Sequence, residues 1–379
     1  MPTISSEPVV QLLADLVRIP SMNPMGRARA GAEYTEEPIA QFVADYVRRR
    51  GLDVELRAVA PRRLNVVAQL DAGARRTVLL EAHLDTVHAD SMSVPPFSAT
   101  IVDGRLQGRG ACDTKGSLAA FIHAVCSLVE EGKKPRYNVV FMAVADEEYQ
   151  FSGARQAVAD GIRADFGICG EPTQMHIVRA HKGVMRWRVR TAGKAAHSAY
   201  PERGVNAIYS MGHVLDSLEH HSMDLLRGPG HPLLGTPTLS VGVIEGGQAV
   251  NIVPDSCWIE LDRRMLPGEA SGVVINDTAA VLGGLDGWSM DPPHLIAAGM
   301  DVPSTSPVVR ELSGALSSSG ISPIIEGAHY ATDAGIYNEA GIPCVVFGPG
   351  NIADAHTAAE SLDLAELEKA VEIVRRFLA

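Results

Sequence analysis

Between Glu7 and Ile19 the apolar residues Val9, Leu12, Leu13, Leu16 and Val17 recur at helical spacing, and residues 39–47 repeat the pattern before Gly51. Two amphipathic helices are therefore expected at the start of the described pattern. Short apolar runs bounded by turn residues follow at 64–70, 77–82, 138–145, 165–169 and 343–347, with helical periodicity at 117–131 and 153–159 between them. Runs that are apolar throughout and interleaved with helices predict an α/β fold, a mostly parallel sheet covered by helices on both faces. From about 181 to 290 the pattern changes. Residues 184–191, 238–244 and 256–261 alternate polar with apolar, as in an antiparallel sheet with one wet face, and 205–218 has helical spacing. The expected organisation is a catalytic domain formed by 1–180 and 291–379, interrupted by an inserted α+β domain at 181–290. The Gly- and Pro-rich stretch at 283–307 is read as the return.

Composition narrows the function classes. At 379 residues two domains are the starting expectation, and 46% apolar with 21% charged residues is ordinary for a globular chain. The 33 basic against 45 acidic residues, a net charge of -12, argue against a nucleic-acid binder or a polybasic membrane-surface protein and favour a small partner. Cys112, Cys126, Cys169, Cys257 and Cys344 are scattered without a CxxC, so reduced, buried thiols are expected. The N-terminal residues lack a secretory pattern and no apolar run approaches a membrane span; cytoplasm is the default compartment.

The chemistry collects where the strand-like runs end. TVLLEAHLD finishes on His83 and Asp85, NVVFMAVADEE on Glu147 and Glu148, DFGICGEPT on Glu171, and the run at 343–347 leads to His356. Ends of parallel strands share one edge, where open α/β folds place their ligand crevice. Asp113, from the Gly-rich GRGACDTKG before a helix, adds a further carboxylate. Carboxylates at this density repel each other unless cations neutralise them, and imidazole and carboxylate ligands without thiolate suit Zn²⁺, with Co²⁺ or Mn²⁺ as substitutes. Six ligand candidates suggest two metals about 3.5–4 Å apart, bridged by one Asp. Asp85 is then free to accept from the other nitrogen of His83, and Glu147 to act as general base.

The motifs HLDTV (83 to 87), GRGACDTKG (108 to 116), DEE (146 to 148), GEPT (170 to 173) and AHTAAE (355 to 360) resemble, in order and spacing, those of the two-zinc metallopeptidase family. That family includes acetylornithine deacetylase, succinyl-diaminopimelate desuccinylase and aminoacylase; AHKG (180 to 183) and GKAAHSAYPERGVNAI (193 to 208) are most similar to acetylornithine deacetylase-like members. The resemblance implies that His83, Asp113 and Glu171 hold one zinc while Asp113, Glu148 and His356 hold the other. It places Glu147 at the base position and Asp85 behind a ligand. It also implies a lid domain that pairs with its twin in a homodimer, sending His197 and Asn251 towards the neighbouring active site, and it makes Arg264 in DRRMLPGE a candidate clamp for a substrate carboxylate. The expected activity is removal of an N-acyl group from an amino acid such as N-acetylornithine. A metal-bridging hydroxide would attack the amide, with Glu147 carrying the proton and His197 stabilising the oxyanion. A dipeptidase or carboxypeptidase on the same scaffold is the second enzymatic reading, since a short peptide presents the same amide and carboxylate. Neither a G-x-S-x-G elbow nor HExxH is present.

Overall fold

The computed structural model describes residues 8–379. Glu7, where the first helical pattern begins, and the residues before it lie outside the described residues. The chain divides into two compact units, the first made of the described residues through Arg179 with Val302–Glu326 and Thr332–Ala379, the second of Ala180–Asp301 and Gly327–Ala331.

The large sheet includes strands β1 (Asp53–Ala60), β2 (Arg63–Leu70), β3 (Thr77–His83), β4 (Asn138–Val144), β5 (Phe166–Cys169), β6 (Ile177–His181) and β7 (Cys344–Val346), in the order β1-β2-β4-β3-β5-β7-β6. The four central strands β4, β3, β5 and β7 are mutually parallel. Both flanks are antiparallel. The run at 64–70 therefore departs from the parallel arrangement expected for it. It is the second arm of a hairpin whose first arm, DVELRAVA, alternates exposed and half-buried residues, the mark of an edge strand that the apolar-run reading passed over. The interiors of β3, β4 and β5 are buried on both faces, which explains their unbroken apolar sequence.

Of the helices α1 (Pro8–Val17), α2 (Glu37–Arg48), α3 (Lys115–Glu130) and α4 (Leu364–Leu378), α2 and α3 lie on the sheet, and α1 and α4 pack against α3. Their faces show why. α1 and α4 bury the i, i+3, i+4 stripe of apolar residues, while α3 is buried along nearly its whole length. Tyr137 meets Phe166 edge-on at 5.3 Å between ring centroids, with Phe377 tilted beside it at 5.7 Å. All five cysteines are free and buried.

In the second unit, an antiparallel sheet has the order Thr238–Gly246, Ser256–Met265, Gly183–Ala192, Trp288–Met290, with Leu295–Ala297 also on Gly183–Ala192. Trp187, Val189, Ile259 and Leu261 on its buried face pack with Met211, Val214 and Leu218 of the helix Ala207–Arg227. That helix is longer than its apolar spacing indicated, and Asn206 caps it by accepting from the backbone N–H of Ile208 and Tyr209. The unit runs past 290 to Asp301, because the Gly- and Pro-rich stretch contributes short strands of its own. Among the described residues no helix is long and apolar enough to cross a membrane.

Candidate metal centre

Because β4, β3 and β5 are adjacent and parallel, the residues leaving their C-terminal ends are neighbours: Glu147 and Glu148 after β4, His83 at the end of β3, Glu171 after β5. Asp113 comes from the turn before α3, where Thr114 donates to the Gly170 carbonyl at 2.7 Å and so ties that turn to the exit of β5. The Asp113–Thr114 peptide bond is cis. His356 arrives on the loop after β7.

Asp113 is the centre of the arrangement. Its Oδ1 lies 3.0 Å from His83 Nε2, and its Oδ2 lies 3.2 Å from His356 Nε2. Glu171 Oε1 is 3.7 Å from His83 Nε2, and Glu148 Oε1 is 3.1 Å from His356 Nε2. Two ligand-sized groups result, His83 with Asp113 and Glu148, and His83 with Glu147 and Glu171. One carboxylate thus presents a different oxygen to each of two imidazoles, and each imidazole has a further glutamate beside it.

The electrostatics show what such a site lacks. Burial pushes the Glu147 and Glu171 carboxyls well up, and the next cause is a neighbouring acid, Glu171 for the first and Asp113 for the second. Glu148 is raised by burial and by Asp113. Burial would lift Asp113 too, but hydrogen bonds with His356 and His83 outweigh it and hold Asp113 below the usual carboxylate range. His356 is pushed up to about 11 by its hydrogen bonds to Asp113 and Glu148. Mutually repelling acids around imidazoles that hold protons tightly form a site that demands positive charge. Divalent cations meet that demand with neutral imidazoles and ionised carboxylates, so the donor set fits a metal pair.

Asp85 does something other than expected. His83 Nδ1 faces the backbone carbonyl of Asp85 at 2.9 Å, whereas the Asp85 carboxylate is 3.7 Å away. A carbonyl only accepts, so Nδ1 carries a proton and Nε2 faces Asp113. The fully buried Asp85 carboxylate instead accepts from the backbone N–H of Glu147 at 3.1 Å and of Glu148 at 3.2 Å, and from Asn23 Nδ2 at 2.8 Å. The backbone geometry explains this. Residues 145–148 turn back over the end of β3, and Asp146 at φ 67 directs two successive N–H groups at Asp85. Asp146 is itself held by Asn23 and Arg63, each at 2.8 Å, and by Ser152. Asn23 and Arg63 were not singled out from the sequence, since a lone Asn before Pro24 and an Arg in a hairpin carry no local signal.

His197, Asn251 and Arg264 belong to the second unit. His197 pairs with Ile252 in a two-stranded ribbon, and Ser198 N–H donates to the Asn251 carbonyl at 3.1 Å, so these two candidates share one exposed ribbon. Arg264 Nε donates to Asp262 at 2.7 Å, while its buried neighbour Arg263 pairs with Glu269 at 2.9 Å.

Comparison with known proteins identifies the family. The chain is 35% identical over 330 residues to an acetylornithine deacetylase of Myxococcus xanthus, which covers 84% of each chain. Its fold is similar to that of a metallo-carboxypeptidase of Sulfolobus solfataricus, with a TM-score of 0.83 at 20% identity, covering 98% of both chains. It is also similar to the YXEP protein of Bacillus subtilis, described as a dinuclear metal-binding peptidase, with a TM-score of 0.71 at 17% identity over 98% of this chain and 96% of that one. The sequence profile of peptidase family M20/M25/M40 matches residues 79–379, and with that match over most of its length the chain belongs to this family and is a metal-dependent hydrolase.

Proposed function

We propose that this enzyme removes the N-acyl group, acetyl or similar, from an amino acid such as N-acetylornithine, using two Zn²⁺ ions, with Co²⁺ or Mn²⁺ as working substitutes. The observation that carries the reading is the division of Asp113, one oxygen towards His83 and the other towards His356. His83, Asp113 and Glu171 would hold one ion, and Asp113, Glu148 and His356 the other. The similarity to acetylornithine deacetylase supports the substrate class.

When bound, the ions supply Lewis acidity to the amide carbonyl and a water whose pKa falls from 15.7 towards about 7. Glu147 takes the proton from the attacking water as the new C–O bond forms, then hands it to the leaving nitrogen as the C–N bond breaks. The products are a carboxylate and an amine. Asp85 sets the position of Glu147 through its backbone N–H. His197 is assigned the developing oxyanion, Asn251 a hydrogen bond to the substrate, and Arg264 the substrate carboxylate, which would compete with Asp262 for its guanidinium.

The deciding assay sets N-acetyl and N-succinyl amino acids, acetylornithine among them, beside dipeptides. Deacylation faster than dipeptide cleavage is expected, abolished by a chelator and restored by Zn²⁺ or Co²⁺. Preferential dipeptide cleavage would transfer the assignment to a dipeptidase or carboxypeptidase.

The same reading includes a homodimer formed through the second unit. Its sheet ends in the strand Thr238–Gly246, which among the described residues has no strand paired on its outer side, and Val243, Ile244 and Val250 are 47%, 55% and 101% exposed. Light scattering should return twice the 40.3 kDa of one chain. A monomeric mass at working concentration would refute it.

A further inference from the structure

His83 and His356 are held in very different ways. His83 ends a buried strand and is 1% exposed, whereas the His356 side chain is 49% exposed on a loop whose residues 352–359 are half-buried or exposed. Something other than core packing must fix His356. On the outer side Arg105 meets Asp354 at 2.8 Å, an exposed ion pair that contributes little, and beyond the loop Ser361–Asp363 pairs with Arg105–Gln107. Ser93 adds hydrogen bonds to the Ala358 carbonyl.

The inner fastening is Glu360, four residues beyond His356 and completely buried. Its carboxylate accepts from Arg109 Nη1 at 2.6 Å, from the Cys112 backbone N–H at 3.0 Å and from the Asp113 backbone N–H at 3.1 Å. Its carbonyl accepts from Gly108 N–H at 3.0 Å. Arg109 is 1% exposed, and its Nε donates to the His88 carbonyl. A single carboxylate thus joins the loop that carries His356 to the turn that carries Asp113, and a cation with no access to solvent compensates its charge.

We propose that the Arg109–Glu360 ion pair is a positioning device that sets metal affinity most strongly on the His356 side of the centre, where both the histidine loop and the Asp113 turn depend on it, and less on the His83 side, where β3 holds the histidine and Asp113 alone is shared. The inference rests on the two-metal reading above. Positioning groups behind metal ligands typically change affinity about ten- to hundredfold when lost. Removing one member of a buried pair strands the other charge. The test therefore compares Glu360→Gln with the doubly neutral Arg109→Gln/Glu360→Gln, and with Glu360→Asp, which keeps the charge and shortens the arm.

Each is titrated in the metal-free state with Co²⁺, followed by visible absorption, with circular dichroism to confirm folding. The wild type should take up two equivalents; if it takes up one, the two-metal reading fails and the inference with it. In the folded variants the second equivalent should bind about ten- to hundredfold more weakly and the first should lose clearly less, with Glu360→Asp showing the smaller loss. Should only Glu360→Asp fold, the same selective weakening is expected of it. A second equivalent that binds with wild-type affinity, or equal weakening of both, overturns the proposal.

Discussion

Replacing Glu147 by Gln should lower kcat by about 10²- to 10⁴-fold while two metal equivalents remain bound and KM changes little. Gln matches Glu in shape, so it keeps the backbone hydrogen bond from residue 147 to Asp85 and leaves Asp113, Glu148 and Glu171 in place. What it removes is the ability to hold a proton, and both proton transfers of amide hydrolysis depend on that. A loss in kcat without a loss in metal separates a base from a ligand, and the distinction matters here because Glu147 also lies within ligand distance of His83 and Glu171. Metal analysis of the purified variant beside steady-state kinetics checks it. Metal lost together with activity would make Glu147 a ligand; wild-type turnover would remove it from the reaction.

The second large effect is expected at Asp113. Asp113→Ala takes one oxygen from each imidazole at once, so both metal positions should empty on dialysis and turnover should fall by about 10⁴-fold or more, the scale of losing Lewis acidity and the acidified water together. Glu171→Ala, by contrast, strips a group that pairs with His83 of the two histidines, and should release one equivalent. Metal counted by emission spectroscopy in the two variants decides the matter. Retention of one full equivalent by folded Asp113→Ala would show that Asp113 serves a single ion and that the centre is not bridged.

Much of the centre was legible before any fold was known, and the reason lies in how parallel sheets are built. An apolar run of β-strand length that ends abruptly on His or Glu reports that the chain has crossed the core and reached its edge; TVLLEAH and NVVFMAV do so without ambiguity. Asp85 was legible as a residue of the site but not in its contacts. Whether its carboxylate turns to His83 or to the Glu147 and Glu148 backbone depends on the path of residues 145–148, where Asp146 adopts φ 67. No spacing rule encodes that path. Glu360 stood in a motif without a role, because its partner Arg109 is 251 residues away and a buried ion pair over that separation leaves no periodic trace.

What the sequence by itself determined is the alternation of elements, the change from uniform to alternating apolar pattern near residue 181, and the kinds of side chain that finish each strand. Burial and hydrogen-bonding demands act residue by residue and so leave a local imprint. What only the tertiary structure decided is direction and partnership: that β2 runs against β4 as one arm of a hairpin, that the second unit continues to Asp301, that Asp113 turns one oxygen to each histidine, and that Glu360 grips the turn carrying Asp113. These depend on closing loops tens to hundreds of residues long. The physical determinant is which of many compatible surfaces meet when the core packs, and that is a property of the whole chain.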